Sequence, residues 1–226
     1  MKYERIPSLQ DLLAECFDAV HYCPRNEDTR EDHIYFVRNF LSKVEIENDV
    51  RAIFEKILNN FSIRKGVMFS DEEREENENL AKQIDEIMID LKLERYVYHG
   101  TIFGRLKDIQ QKGLLPGANP VWKEHLVSRQ HCDSAVFFSR TWRGASQWAE
   151  AAHDYSRGPR EGKFRRPVVL RIPMTGLNLE HDSLSAPPDS CMVRAAVQLY
   201  NPYVIIGRQG GIPTWCALEE VTSKQR

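Results

Sequence analysis

No apolar run in this 226-residue chain is long enough to cross a bilayer; the longest, residues 203–207 and 135–138, are strand-sized, against the roughly 18 residues a spanning helix needs. No apolar stretch follows Met1-Lys2-Tyr3-Glu4-Arg5, so nothing there reads as a secretion signal. There is no CxxC pair and no internal repeat. The five cysteines (Cys16, Cys23, Cys132, Cys191, Cys216) are odd in number and scattered. That pattern supports neither a zinc ribbon nor a disulfide framework and reads as free thiols in a reducing compartment. The expectation is a chain without a membrane partner that works in a cytoplasm, its own or that of a target cell. What is present is ordinary for a globular protein: 42% hydrophobic and 28% charged residues, which excludes a wholly disordered or fibrous chain. The length suits one domain with an appendage, or two small domains.

The formal net charge of −2 hides an asymmetry. Residues 1–94 carry 13 Lys/Arg against 22 Asp/Glu (−9), and residues 95–226 carry 18 against 11 (+7). A basic half suits a phosphate-bearing ligand or nucleic acid. Mutual neutralisation of the halves is the plainer alternative.

Residues 1–94 read as an acidic, all-helical subdomain. Ser8 with Asp11 marks an N-cap ahead of Leu12, Leu13, Cys16, Phe17 and Val20 at helical spacing. Ile34, Val37, Leu41 and Val44 form a second stripe, and Val50, Ile53, Phe54, Ile57, Leu58 and Phe61 a third. Ser70-Asp71-Glu72-Glu73 caps a fourth helix, with Leu80, Ile84, Ile87, Met88 and Leu91 expected on one face. Its acidic first turn suits the positive end of a helix dipole.

Residues 95–226 change texture to mixed α+β. Tyr96-Val97-Tyr98 is β-prone, a helical stretch (Phe103, Leu106, Ile109) stops at Gly113, and Ala135-Val136-Phe137-Phe138 reads as a buried strand. Residues 142–155 read as a helix, 168–172 and 203–206 as strands, and 207–213 as a turn.

At Tyr98-His99-Gly100-Thr101, with Ile109 and Gly113-Leu114 downstream, the chain resembles the opening motif of the ADP-ribosyltransferase superfamily. That superfamily includes poly(ADP-ribose) polymerase catalytic domains and RNA 2′-phosphotransferases. Ala135-Val136-Phe137-Phe138-Ser139 with Ala145 and Trp148-Ala149 is similar to its second motif, and residues 168–173 to its central strand. Leu199-Tyr200-Asn201-Pro202-Tyr203 through Gly211-Ile212-Pro213 is similar to its last core strand and following turn. The polymerases carry a glutamate at the head of that strand, where Pro202 falls here; Glu219 and Glu220 lie beyond the Ile-Pro turn. The resemblance covers roughly residues 95–221.

The resemblance implies a split β-sheet core and transfer of ADP-ribose from NAD to a macromolecular acceptor, protein or nucleic acid, with release of nicotinamide. NAD would be a substrate, and no metal is implied. His99 would anchor a ribose hydroxyl and Gly100 would offer its backbone to the carboxamide. Thr101 would support the loop. Phe137 and Trp148 would clamp the nicotinamide ring, and Ser139 or Ser146 would add a hydroxyl contact. Gln198 or Asn201 would orient the sugar without supplying the charge that a glutamate brings to an oxocarbenium-like state. Two alternatives stand beside this: an RNA 2′-phosphotransferase-like enzyme, and a non-catalytic module binding NAD or ADP-ribose.

Other groups are weaker. His125, His131, Cys132 and Asp133 are zinc-ligand types, but no single element fixes their spacing and they read as a polar loop. The basic stretch 157–166 reads equally as a solvated loop or a contact for pyrophosphate or nucleic acid. Gly207-Arg208-Gln209-Gly210-Gly211 sits between a strand and Ile-Pro and reads as a turn.

Overall fold

The computed structural model describes residues 11–13, 34–35, 37–39, 41–43, 45–63, 71–117, 133–155, 166–182, 190–209 and 212–224. The caps at Ser8 and Ser70, Cys16 and Cys23, the loop residues His125, His131 and Cys132, most of the basic loop, and Gly210-Gly211 lie outside them. The chain divides into two compact units: Met1–Glu94 with Arg208–Pro213, and Arg95–Gly207 with Thr214–Arg226.

In the first unit the long helices are α1 (Asn48–Ile63) and α2 (Asp71–Asp90), with further helical turns at 11–13, 34–35, 37–39 and 41. Val50, Phe54, Ile57 and Leu58 of α1 meet Leu80, Ile84 and Met88 of α2 in a core shared with Leu12, Leu13, Val37 and Leu41. The i, i+3/i+4 spacing puts these residues on one stripe of each helix. Leu91, expected on that stripe, is instead 42% exposed. The helix has already ended: Lys92 adopts φ 52°, its N–H reaches the Ile89 carbonyl at 2.9 Å, and the Leu93 N–H reaches Met88 at 2.8 Å. This is a Schellman closure, whose hydrophobic residue past the cap turns back to the core. Leu93 therefore packs where Leu91 was expected.

A seven-stranded sheet in the order β4-β5-β2-β1-β3-β6-β7 lies in the second unit, apart from residues 208–209 and 212–213 at the ends of β6 and β7. The strands are β1 (Tyr96–Ile102), β2 (Val136–Ser139), β3 (Pro167–Pro173), β4 (Glu180–His181), β5 (Ser190–Val193), β6 (Tyr203–Gln209) and β7 (Ile212–Ala217). The pairs β1/β2, β1/β3, β2/β5, β3/β6 and β4/β5 are antiparallel. The helices are α3 (Leu106–Lys112), α4 (Trp142–Tyr155) and α5 (Leu218–Ser223), and a 3-10 turn, Phe103–Arg105, links β1 to α3. The unit is thus an α+β structure built on an antiparallel sheet.

Residues 207–213, expected to be a turn, are mostly strand: β6 runs to Gln209 and β7 resumes at Ile212. Pro213 lies on β7, an edge strand of the sheet, the position in a sheet where proline is usually found.

Alternation along β1 assigns the two faces of the sheet. Val97 joins Phe138, Leu170, Val204, Leu106 of α3 and Leu218 of α5 on one side. Tyr98 joins Val169 and Trp142, Ala145 and Ala149 of α4 on the other. Each large apolar side chain buried there contributes about 1.5–3 kcal/mol relative to exposure. Gly113 ends α3 at φ 74°, and a Cβ there would lie 2.4 Å from the Val197 carbonyl oxygen. Only glycine fits the paired bonds between Leu114 and Val197 (2.9 and 2.8 Å).

Among the described residues no helix is long and apolar enough to cross a membrane, and no group of three or more His, Cys, Asp or Glu is placed to hold a metal ion.

Candidate functional site

β1 pairs with β3 along all seven of its residues, from Tyr96↔Pro173 to Ile102↔Pro167. With β2 it shares a single register pair, Tyr98↔Ser139. An antiparallel ladder alternates, so the next pair in this register would be Gly100 with Phe137. That pair does not form. The His99 Nδ1–H donates instead to the Phe137 carbonyl at 2.9 Å, so a side chain takes the rung. Residues two apart direct their backbone groups to the same side of a strand, and this alternation turns the Gly100 N–H and C=O toward the gap between β1 and β2.

The carbonyl partner fixes the His99 tautomer, because an oxygen without a hydrogen only accepts. Nδ1 therefore carries the proton, and in the neutral ring Nε2 is an acceptor. Burial pushes the imidazolium pKa below its usual 6.5; the Phe137 bond works against this shift, and the nearby Arg105 charge adds to it. The ring edge also meets Phe138, with centroids 5.9 Å apart. A pH prediction follows. The folded pKa lies below the unfolded value, so in the acid window the unfolded chain binds this proton first. The stability due to neutral His99 is present above pH 6.5 and is lost as pH falls through the lowered folded pKa. Urea unfolding between pH 7 and 5 should show this loss in the wild type, and the His99→Asn variant should lack that component.

Gly100 is a glycine for a reason other than ligand access. A Cβ there would sit 2.1 Å from the Ala145 carbonyl oxygen, 2.6 Å from the Ala149 nitrogen and 3.0 Å from the Trp148 Cβ. Helix α4 lies directly on this point of β1. The face where a side chain would stand is closed by helix backbone, and Gly100 meets the gap only through its strand-edge amide. The same contact sets Trp148 beside Gly100. Val136 and Phe138 point to the α3/α5 side, so alternation puts Phe137 on the α4 side with Trp148. Both are half-buried, as is Ser146 on the same helix.

Ser139 has a structural task. It is fully buried, and its Oγ accepts the Thr141 N–H at 3.1 Å. Thr141 caps α4, its Oγ1 accepting the Gly144 N–H at 3.1 Å. The hydroxyl expected to touch ligand is held in the turn that starts the helix. Thr101 is 1% exposed and backs the strand from the α3/α5 side.

Among the described residues neither Gln198 nor Asn201 bonds to His99. His99 pairs with Leu170, and Leu170 with Val204, so the β6 residue on the His99 rung is Val204, two strands and about 10 Å away. Asn201 precedes β6 in a turn at φ 46°, a conformation asparagine tolerates. Gln198 follows the bridge partner Val197, and both side chains are exposed. The chain does fold back at this point: the Leu218 N–H donates to the Pro202 carbonyl at 2.9 Å. That bond sets the first turn of α5, with Glu219 and Glu220, beside the head of β6.

Sequence reasoning passed over two arginines. Arg171 is 9% exposed on β3, with its guanidinium 4.5–4.9 Å from the rings of Tyr96, Tyr203 and Trp215. Three aromatic faces offset part of its desolvation. Arg105 is half-buried in the 3-10 turn after β1, and burial lowers its pKa. A signal was legible for Arg105: Asp108 is the only acid in 103–112, and it faces Lys112 one helical turn on, at 3.9 Å. Burial and the bond to Glu220 (3.4 Å) push the Cys216 thiol pKa up, away from the thiolate form that a nucleophile needs.

In the first unit, Lys56, Glu72, Glu75, Glu76 and Glu86 line a groove of about 570 Å³ between α1 and α2. Its Lys56–Glu76 pair at 3.4 Å is exposed and adds little stability.

No family model, curated protein or solved structure matches the chain.

Proposed function

We propose that residues 95–226 bind NAD in the gap between β1 and β2 and transfer its ADP-ribose to a macromolecular acceptor. The observation that carries this reading is the interrupted rung, with the Gly100 amide turned to a gap that the His99 imidazole spans. A primary carboxamide offers one donor and one acceptor, the complement of a strand-edge N–H and C=O. The nicotinamide amide would take the rung that Phe137 leaves, while His99 Nε2 accepts from a ribose hydroxyl. Phe137 and Trp148, on the α4 side of the sheet, would supply ring faces for the nicotinamide, and the His99 ring, on the α3/α5 side with Phe138, would meet the ribose through the gap. Holding NAD in this way would fix the bond between nicotinamide and ribose against an approaching acceptor, which is catalysis by orientation. Incubation with labelled NAD and candidate acceptors tests the reading. No nicotinamide release, together with no NAD binding by calorimetry, would sink it.

Trp148→Ala should weaken NAD binding about tenfold, the worth of one ring stacking contact. Calorimetry and melting on the same variant separate ligand contact from core packing. A destabilised variant with unchanged NAD affinity would remove Trp148 from the site.

A second reading, a non-catalytic binder of NAD or ADP-ribose, draws on Pro202 at the head of β6, where no carboxylate stands. It expects binding without turnover. Glu219→Gln discriminates. Turnover lost in this variant with NAD affinity kept would assign the missing negative charge to the first turn of α5, and no turnover in either protein would favour the binder.

A further inference from the structure

We propose that Arg105 and Arg166 form an anion subsite at the end of β1, which takes a phosphate or pyrophosphate group of the ligand held at His99. The proposal deepens the NAD reading and rests on it for the identity of that ligand. Both arginines border one 3-10 turn. Arg105 closes it. Arg166 binds it from the start of β3: its carbonyl accepts the Phe103 N–H at 2.9 Å, and its guanidinium lies 5.2 Å from the Phe103 ring centroid. Among the described residues neither side chain has a carboxylate partner or a hydrogen bond. Arg166 is exposed, whereas Arg105 is half-buried. A half-buried cation without a counter-charge is costly, so Arg105 points to a partner that arrives from outside, and Arg166 stands at the same turn to share it. The planar guanidinium fork matches phosphate oxygens in a bidentate fashion. Arg105 also lies within electrostatic reach of His99, since its charge contributes to the lowered imidazole pKa. An anion on Arg105 is thus next to the group that would hold the ribose. In a dinucleotide, the phosphate follows the ribose directly.

The same phosphate chemistry has two sources, the pyrophosphate of the dinucleotide itself and a phosphate on the acceptor. Calorimetry with inorganic pyrophosphate, ADP-ribose, NAD and nicotinamide, on the wild type, Arg105→Gln, Arg105→Lys and Arg166→Gln, distinguishes them. Pyrophosphate and ADP-ribose should bind the wild type, with affinity falling as salt rises. Arg105→Gln should weaken both about tenfold or more, Arg105→Lys should restore part of the loss, and nicotinamide binding should be unchanged. Melting curves check that each variant is folded. If Arg105→Gln fails to fold, Arg105→Lys and the wild-type salt dependence decide the matter, because a bidentate site loses affinity on changing to lysine. If pyrophosphate binds through Arg105 while NAD affinity ignores the substitution, the subsite stands and belongs to the acceptor. If pyrophosphate binds through Arg105 and NAD does not bind at all, the subsite stands and the NAD reading fails. Folded Arg105→Gln that binds pyrophosphate and ADP-ribose as the wild type does would overturn the subsite, whatever NAD does.

Discussion

Gly100→Ala should cost the second unit at least about 2 kcal/mol, a large part of a domain's total stability. The added methyl would lie 2.1 Å from the Ala145 carbonyl oxygen and 2.6 Å from the Ala149 nitrogen. Both are backbone atoms of α4, so no side-chain rotation relieves the contact, and the helix must lift from β1. Overpacking of this kind costs about 1–3 kcal/mol, and more where backbone must move. The opposing gain is the reduced freedom of the unfolded chain, about 0.4–1 kcal/mol for a glycine replaced by alanine. Steric conflict wins. Lifting α4 also exposes Trp142, Ala145 and Ala149, which are buried against Tyr98 and Val169. Urea unfolding followed by tryptophan fluorescence, to which Trp142, Trp148 and Trp215 of this unit contribute, measures the effect. Gly207→Ala is the control, since nothing lies within 4 Å of the added Cβ; it should stay within about 0.5 kcal/mol of the wild type. Equal midpoints for the two variants would mean that α4 does not sit on Gly100.

This prediction shows where the sequence was legible and where it stopped. The α4 stripe of Ala145, Ala149 and Ala152 and the strand around Phe137 both follow from local periodicity, and helix α4 spans Trp142–Tyr155 as its pattern requires. The strands β4, β5 and β7 and the helix α5 have two to six residues each. Such lengths leave no period to read. Their existence depends on pairing with other segments, near ones as in His181↔Cys191 and distant ones as in Phe137↔Met192. The site divides in the same way. His99, Gly100, Phe137 and Trp148 stand out by type and order; the fold sets Trp148 beside Gly100 on the α4 side, whereas the His99 ring lies with Phe138 on the α3/α5 side and meets Phe137 only at its carbonyl. The reason for Gly100 was not legible, because it is the approach of a helix 45 residues further on. The resemblance implies a ligand contact for the Ser139 hydroxyl. Its pairing with Thr141, a second hydroxyl two residues later that is the true N-cap, gives it a different task. The resemblance gives the Asn201 amide a sugar contact, but its backbone at φ 46° is what the turn into β6 uses.

His99→Ala should lower turnover of NAD about a hundredfold, the usual cost of losing an orienting group by an ångström or so, and should reduce NAD affinity far less. The substitution removes two functions together. The Phe137 carbonyl loses the donor that reaches it at 2.9 Å, a desolvation penalty of about 1–3 kcal/mol if no water replaces it. The gap also loses the Nε2 acceptor. His99→Asn separates the two. An asparagine amide places an N–H group close to where Nδ1 stands, so it can still latch Phe137, but it has nothing at the position of Nε2. The expected order in melting temperature is wild type, then His99→Asn, then His99→Ala. In turnover both variants should be equally poor, because the latch is restored and the acceptor is not. Wild-type turnover in His99→Asn would assign His99 to the latch alone, and the ribose would then have to be oriented by some other group. A loss of turnover in both variants that tracks their loss of stability at every temperature would say the same. Turnover that stays a hundredfold down in a folded, latched His99→Asn leaves the imidazole Nε2 as the group that orients the sugar.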